Sequence, residues 1–280
     1  LIVSIIFGLT LATDAFGQAQ ITTRKEKLKD FTSKVTKVVL SGDPFIDEAL
    51  KESVSGTWTI SPYEFCTSAE FDQLKGNAGF YFLLVVKGQF RKEKEPGIDM
   101  LTLVKGGEGA SKSVSDMLEV VTFPLRASVE PSGREVVLLP AILKIMQEHT
   151  QGLLGSELKA YSGIGAGPKD VAKLWNKQIF FCEEDLAPGV DAEDLQNIDE
   201  DMIVMEDSDD VDEVFNNANY NAAVSFVVAP SEPTNGSMCY TIIIGADTHE
   251  LYYFKKHKIT AKSGAGFLPS DLKAIKTVRK

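Results

Sequence analysis

Apolar residues recur along the chain in runs of strand length, separated by segments in which they return at helical spacing. Val35-Thr36-Lys37-Val38-Val39-Leu40 predicts a first strand. A helix is expected over Pro44 to Val54, with Asp43 placed to cap it, Pro44 at its first position, and Phe45, Ala49 and Leu50 near one face. Thr57 to Ile60 predicts a second strand. Thr67-x-x-Glu70 has the spacing of a capping box, so a second helix runs from there through Phe71 and Leu74 and stops before Gly76-Asn77. Phe80 to Val86, Ile98 to Val104 and Leu118 to Phe123 are β-prone runs, the first two joined by a long charged loop. Leu139 to His149 closes this half as a helix, with Ile142, Ile145, Met146 and His149 at helical spacing.

The same order of elements then appears again. Strands are expected at Gln178 to Cys182, Met202 to Met205, Ala223 to Val228, Met238 to Ile244 and Leu251 to Phe254. Helices are expected at Ala192 to Asn197, at Asp209 to Ala218 with Ser208 as cap, and at Pro269 to Val278. Phe82 to Val86 lies over Val224 to Val228 at an offset of 142. Leu139-Pro140 lies over Leu268-Pro269 at an offset of 129, which places a proline in the first turn of each closing helix. Each copy reads βαβαβββα. Strand–helix–strand units favour parallel neighbours with right-handed crossovers, and strands joined by loops favour an antiparallel meander. The expected fold is therefore α/β (α+β), a tandem duplication of mixed sheets with helices packed on them. The expected divisions are a signal peptide at 1–19, an N-terminal linker at 20–34, repeat 1 at 35–150, a linker at 151–175 and repeat 2 at 176–280.

The first eleven residues, Leu1 to Leu11, are almost wholly apolar, and small and polar residues follow from Asp14 to Gln20. This is the pattern of an export signal, with Gly17 and Ala19 supplying the small residues for a cut between Ala19 and Gln20. The expected location is the periplasm, the cell surface or the medium. No later apolar run reaches the length of about 20 residues that a spanning helix needs, so no transmembrane segment is expected in the mature chain.

A net charge of −11 argues against a nucleic-acid or anionic-membrane partner. That charge is concentrated: Glu183 to Glu213 holds fifteen acidic residues and no Lys or Arg, whereas Lys255 to Lys280 holds eight Lys or Arg and one Asp. The three cysteines, Cys66, Cys182 and Cys239, are odd in number and lack metal-site spacing. The second and third lie in apolar runs, which suits small buried thiols, and a bridge between them stays open.

Motifs that carry chemistry are few. Gly163-x-Gly165-x-Gly167-Pro168 lacks the third glycine of a dinucleotide turn and no strand leads into it. Gly106 to Ser113 lacks the second glycine of a phosphate loop and joins strand to strand. Asp207, Asp209, Asp210 and Asp212 are hard oxygen donors and form a weak calcium candidate. They lack the glycine and distal glutamate of a helix–loop–helix calcium loop, and aspartates also belong at a helix N-terminus. His149, His249 and His257 make no zinc-binding spacing, and no cofactor is expected. Two aromatic groups are candidate partner contacts, each also readable as core: Trp58 with Tyr63 and Glu64, and the strand residues Tyr252 and Tyr253 running into Lys255 and Lys256.

Three stretches carry a resemblance: Phe45-Ile46-Asp47-Glu48-Ala49-Leu50-Lys51, Trp58 to Phe65, and Leu251 to Phe254 with the Lys-His-Lys that follows. They resemble a family of uncharacterised exported proteins of Bacteroidetes-type bacteria. The element order is also similar, at fold level, to small α/β domains of cell-envelope proteins such as the amino-terminal domain of TolB and the curli-secretion lipoprotein group. The resemblance implies export and this architecture; it brings no activity and no catalytic residues. The expected function is a non-enzymatic exported protein that binds a protein or envelope partner. The rival is a hydrolase with carboxylates in a cleft between the two copies.

Overall fold

The computed structural model describes residues 28–90, 93–155, 163–196 and 200–278. The expected signal segment and its cleavage site at Ala19-Gln20 lie outside them. In the first unit the order is β1 (Val35–Val39), α1 (Pro44–Thr57), β2 (Tyr63–Cys66), α2 (Ser68–Leu74), β3 (Phe80–Gly88), β4 (Ile98–Lys105), β5 (Leu118–Ala127) and α3 (Arg134–Gly155). A short α4 (Pro168–Ala172) leads to the second unit: β6 (Gln178–Cys182), α5 (Ala192–Gln196), β7 (Met202–Met205), α6 (Ser208–Asn216), β8 (Ala222–Val228), β9 (Met238–Gly245), β10 (Leu251–Lys258) and α7 (Pro269–Val278).

The two sheets have one topology. Their strand orders are β2-β1-β3-β4-β5 and, read in the same sense, β7-β6-β8-β9-β10. In each, the first strand pairs in parallel with the second and third, and the last three strands form an antiparallel meander. The chain is thus an α/β protein with two similar mixed-sheet units, as the recurring pattern predicts. No helix among the described residues is long and apolar enough to cross a membrane.

Local chemistry sets most element ends. The Thr67–Glu70 capping box forms in full and opens α2. Asp43 caps α1 by accepting the Phe45 N–H, and Pro44 occupies the first turn. Three expectations are corrected. First, Thr57 to Ile60 is not a strand. Helix α1 runs on to Thr57, and Trp58 to Pro62 crosses as a connector before β2 begins at Tyr63. The Gln147 side chain of α3 accepts the Thr59 N–H at 2.7 Å and donates to the Thr57 carbonyl at 2.8 Å. These bonds satisfy backbone that would otherwise seek a strand ladder. Second, the cap of α6 is Asp207, not Ser208, because the Asp207 carboxylate accepts the Asp209 N–H at 2.9 Å.

Third, α3 begins at Arg134, so Pro140 sits inside the helix rather than in its first turn. A proline there removes one ladder bond and costs roughly 3 kcal/mol. Ion pairs made by Arg134 and Glu135 hold the turns that precede it. The segment expected as an N-terminal linker also contributes to the core: Leu28 and Phe31 are buried, and the Phe31 ring meets Tyr81 edge-on at 4.8 Å.

The units stack back to front. Helices α1 and α3 cover one face of the first sheet, and α2 covers the other through Phe71 on Phe82. In the second unit α6 takes the position of α2, and α7 packs on the opposite face. It is the α6 face that turns inward: Val224 and Phe226, which correspond to Phe82 and Leu84, join one continuous core with α1, α3 and β5. Phe123 of β5 and Phe254 of β10 meet across this junction at 5.7 Å.

Arg134 fastens the junction. It is 5% exposed, and its guanidinium donates to Asp212 at 2.9 Å, to Asp185 at 2.9 Å and to the Ser225 carbonyl at 2.9 Å, all in the second unit. The Ser225 hydroxyl donates to the same Asp185 carboxylate and accepts the Cys182 N–H. Removing one partner of a buried ion pair leaves an uncompensated charge. Arg134→Leu is therefore expected to lower unfolding stability by about 3–5 kcal/mol, read by urea denaturation followed by circular dichroism.

Candidate binding groove

The loop from β1 to α1 decides which way α1 faces. The buried Asp47 carboxylate accepts the Ser41 N–H at 2.7 Å, the Gly42 N–H at 2.9 Å and the Ser41 hydroxyl at 2.9 Å. Gly42 has φ +90°, a conformation in which a side chain would be strained. Pinned this way, α1 buries Ile46, Leu50, Ser53 and Val54. The expected face containing Phe45 is rotated by one residue, about 100° around the helix. Phe45 lies 83% exposed, and Glu48 and Glu52 are exposed beside it.

A second set of charges fixes α1 relative to α3. Arg126 of β5 donates to Asp99 at 3.1 Å and to Asp43 at 3.1 Å, and its guanidinium lies 3.6 Å from Glu135 in the first turn of α3. Burial disfavours charge on Asp43, but the Arg126 guanidinium and the N–H groups of Phe45 and Ile46 outweigh it and hold the carboxyl below its ordinary range. Ser128 donates to the other Asp99 oxygen at 2.7 Å.

Between the two helices lies an open groove of about 720 Å³, which Asn216 of α6 also lines. Pro44, Phe45, Glu48, Ala49, Glu52 and Gly56 form one wall and Val136, Val137 and Pro140 the other. The groove is mainly apolar with a carboxylate rim. Pro140 has no N–H to give to the Val136 carbonyl one turn earlier, so the helical ladder is interrupted in this wall.

The residues singled out from sequence are elsewhere. Trp58 is 4% exposed in the shared core, and its indole N–H donates to Ser61 at 3.0 Å. Tyr63 is half-buried against Phe65, and Glu64 is exposed and paired with Lys37. Tyr252 and Tyr253 are buried on the α7 side of the second sheet, bonded to Thr248 and Asp271. Their rings form core, not a rim, because a register shift between Leu251 and Tyr253 lets adjacent tyrosines both point into it. The structure does not bring the Trp58 and Tyr252 groups together: they lie in separate cores.

The weak calcium candidate is also dispersed. Asp207 caps α6, Asp209 and Asp210 are exposed, and Asp212 is buried on Arg134. Among the described residues no group of three or more His, Cys, Asp or Glu side chains is placed to hold a metal ion. All three cysteines are free and buried, so Cys182 and Cys239 are not bridged; burial pushes the Cys239 thiol up to about 12, far from a nucleophile.

Sequence reasoning missed Phe45, Glu48, Glu52, Val136 and Pro140 as a site. The alternative helical stripe Ile46-Leu50-Ser53-Val54 was available as a signal. The meeting of α1 with α3 was not, because the contact spans some ninety positions of chain.

No known protein family, curated protein or solved structure matches the chain. The fold and this groove define it as a two-unit α/β protein with an open helical cleft.

One group near the junction gives a pH signature. Burial pushes the Glu119 carboxyl up, against a hydrogen bond from Thr122, and Glu119 together with Glu93 and burial raises the Tyr240 phenol to about 12. A raised carboxyl favours folding most at pH below its unfolded value and loses that contribution as pH rises through the folded value. Glu119→Gln is expected to raise Tm at pH 7 by a few degrees, with the gain shrinking toward pH 4, as measured by scanning calorimetry.

Proposed function

We propose that the chain is an exported, non-enzymatic binding protein whose partner seats in the groove between α1 and α3. The observation that carries this is the exposed Phe45 ring beside Val136 and Pro140. Six large hydrophobic side chains are exposed among the described residues, and two of them, Phe45 and Val136, line this one groove. Clustered exposed apolar groups rimmed by polar ones mark interaction surfaces, whereas single ones do not. The apolar N-terminal run supports export.

The rival hydrolase needs carboxylates open to substrate between the units. Of the carboxylates at the junction, Asp185 and Asp212 are buried on Arg134, which supports binding over hydrolysis.

Phe45→Asp is expected to leave Tm within about one degree, because substitutions at exposed positions away from packed groups shift stability by no more than about 0.5 kcal/mol. Immobilised residues 20–280 are expected to retain an envelope-extract protein that Phe45→Asp and Val136→Asp both release and that Trp175→Asp, an exposed control away from the groove, retains. Equal capture by all four proteins would overturn the proposal.

A further inference from the structure

We infer that the occupant of the α1–α3 groove is a short amphipathic segment that pairs an apolar face with Lys or Arg side chains; this rests on the docking role proposed above. Two features of the groove converge on that chemistry. Both of its walls carry apolar residues: Phe45 and Ala49 on α1 and Val136, Val137 and Pro140 on α3. Its α1 rim carries Glu48 and Glu52, four positions apart and therefore on one side of the helix, both exposed. Glu48 is 3.4 Å from Lys51, a solvent-exposed pair that holds its carboxylate only weakly.

Its α3 wall adds no charge. The α3 residues that line the groove are apolar, so its charge comes from the α1 carboxylates. An acidic segment would meet repulsion from Glu48 and Glu52. A purely apolar one would make no use of the carboxylates. A segment with ammonium or guanidinium groups along one edge of an apolar stripe matches the groove, its cations directed to the α1 rim and its apolar side chains against Phe45 and Val136. The α1 residues that line the groove run from Pro44 to Thr57, about four helical turns, which sets the length of segment it accommodates.

Two fluorescein-labelled 14-residue peptides test this, one of leucine and lysine and one of leucine and glutamate, each patterned as an amphipathic helix. Binding is read by fluorescence anisotropy at low and at 0.5 M salt. The lysine peptide is expected to bind at least tenfold more tightly than the glutamate peptide, to weaken with salt, and to lose its advantage with Glu48→Lys/Glu52→Lys. Phe45→Ser is expected to weaken it without changing its salt dependence. Equal binding of both peptides, lost in Phe45→Ser, overturns the charge selectivity and leaves the docking role standing. Binding of the lysine peptide that Phe45→Ser leaves unchanged overturns the site. Binding of neither peptide overturns the inference, and the extract capture described above then decides the docking role separately.

Discussion

The guanidinium of Arg134 is the contact on which the arrangement of the two units rests. It leaves the first turn of the first unit's closing helix and ends among Asp185, Asp212 and the Ser225 carbonyl of the second. A charge this deep is tolerated only because each of its donor directions meets an acceptor, and those acceptors in turn have few other cations to meet. The acidic stretch of the second unit thus has structural uses: Asp207 caps α6, and two of its aspartates are the counter-charges of an arginine from the other unit. Burial still presses on the pair, pushing the Asp212 carboxyl up against the pull of Arg134. Such an interaction specifies how the units meet more than it adds to stability, because other packings of the same apolar faces would strand the charge.

Back-to-front stacking follows from the same geometry. Two copies of one unit can meet through like faces or through unlike ones, and unlike faces leave one face of each unit at the outside. Here the outer faces are closed by α2 and α7, each with its apolar residues turned in and a polar outer side. The inner layer, made of α1, α3 and α6, has to accommodate helices of unequal length from two units. The groove lies where that layer is incompletely filled, at the open side of α1 and α3 near the end of α6.

The groove's composition has local causes. Asp47 turns α1 so that Phe45 faces out, Arg126 holds the start of α1 against the start of α3, and Arg134 with Glu135 keeps helical the residues ahead of Pro140. Asp47 lies in the first turn of α1 and Arg134 and Glu135 in that of α3, whereas Arg126 lies near the end of the antiparallel strand β5. An apolar cleft is therefore framed by polar contacts that the cleft itself does not use.

The sequence by itself determined the elements whose signals are local. Strand runs, the Thr67–Glu70 box, the Asp43-Pro44 helix start and the repeated element order are set by neighbours a few residues apart, so they were legible, and with them the α/β class and the two matching units. Tertiary structure decided the rest. Gln147 turned a β-prone run after Thr57 into a connector, and long-range ion pairs carried α3 through Pro140. A register shift buried Tyr252 and Tyr253 together, and the facing of α1 exposed Phe45. For the connector and for α3 the deciding bonds join groups 51 to 90 positions apart, and a periodicity of side chains does not record which distant donor will reach which acceptor. For α1 and the tyrosines the deciding contacts are near in sequence, but they are a loop carboxylate and a strand irregularity, which side-chain periodicity does not record either.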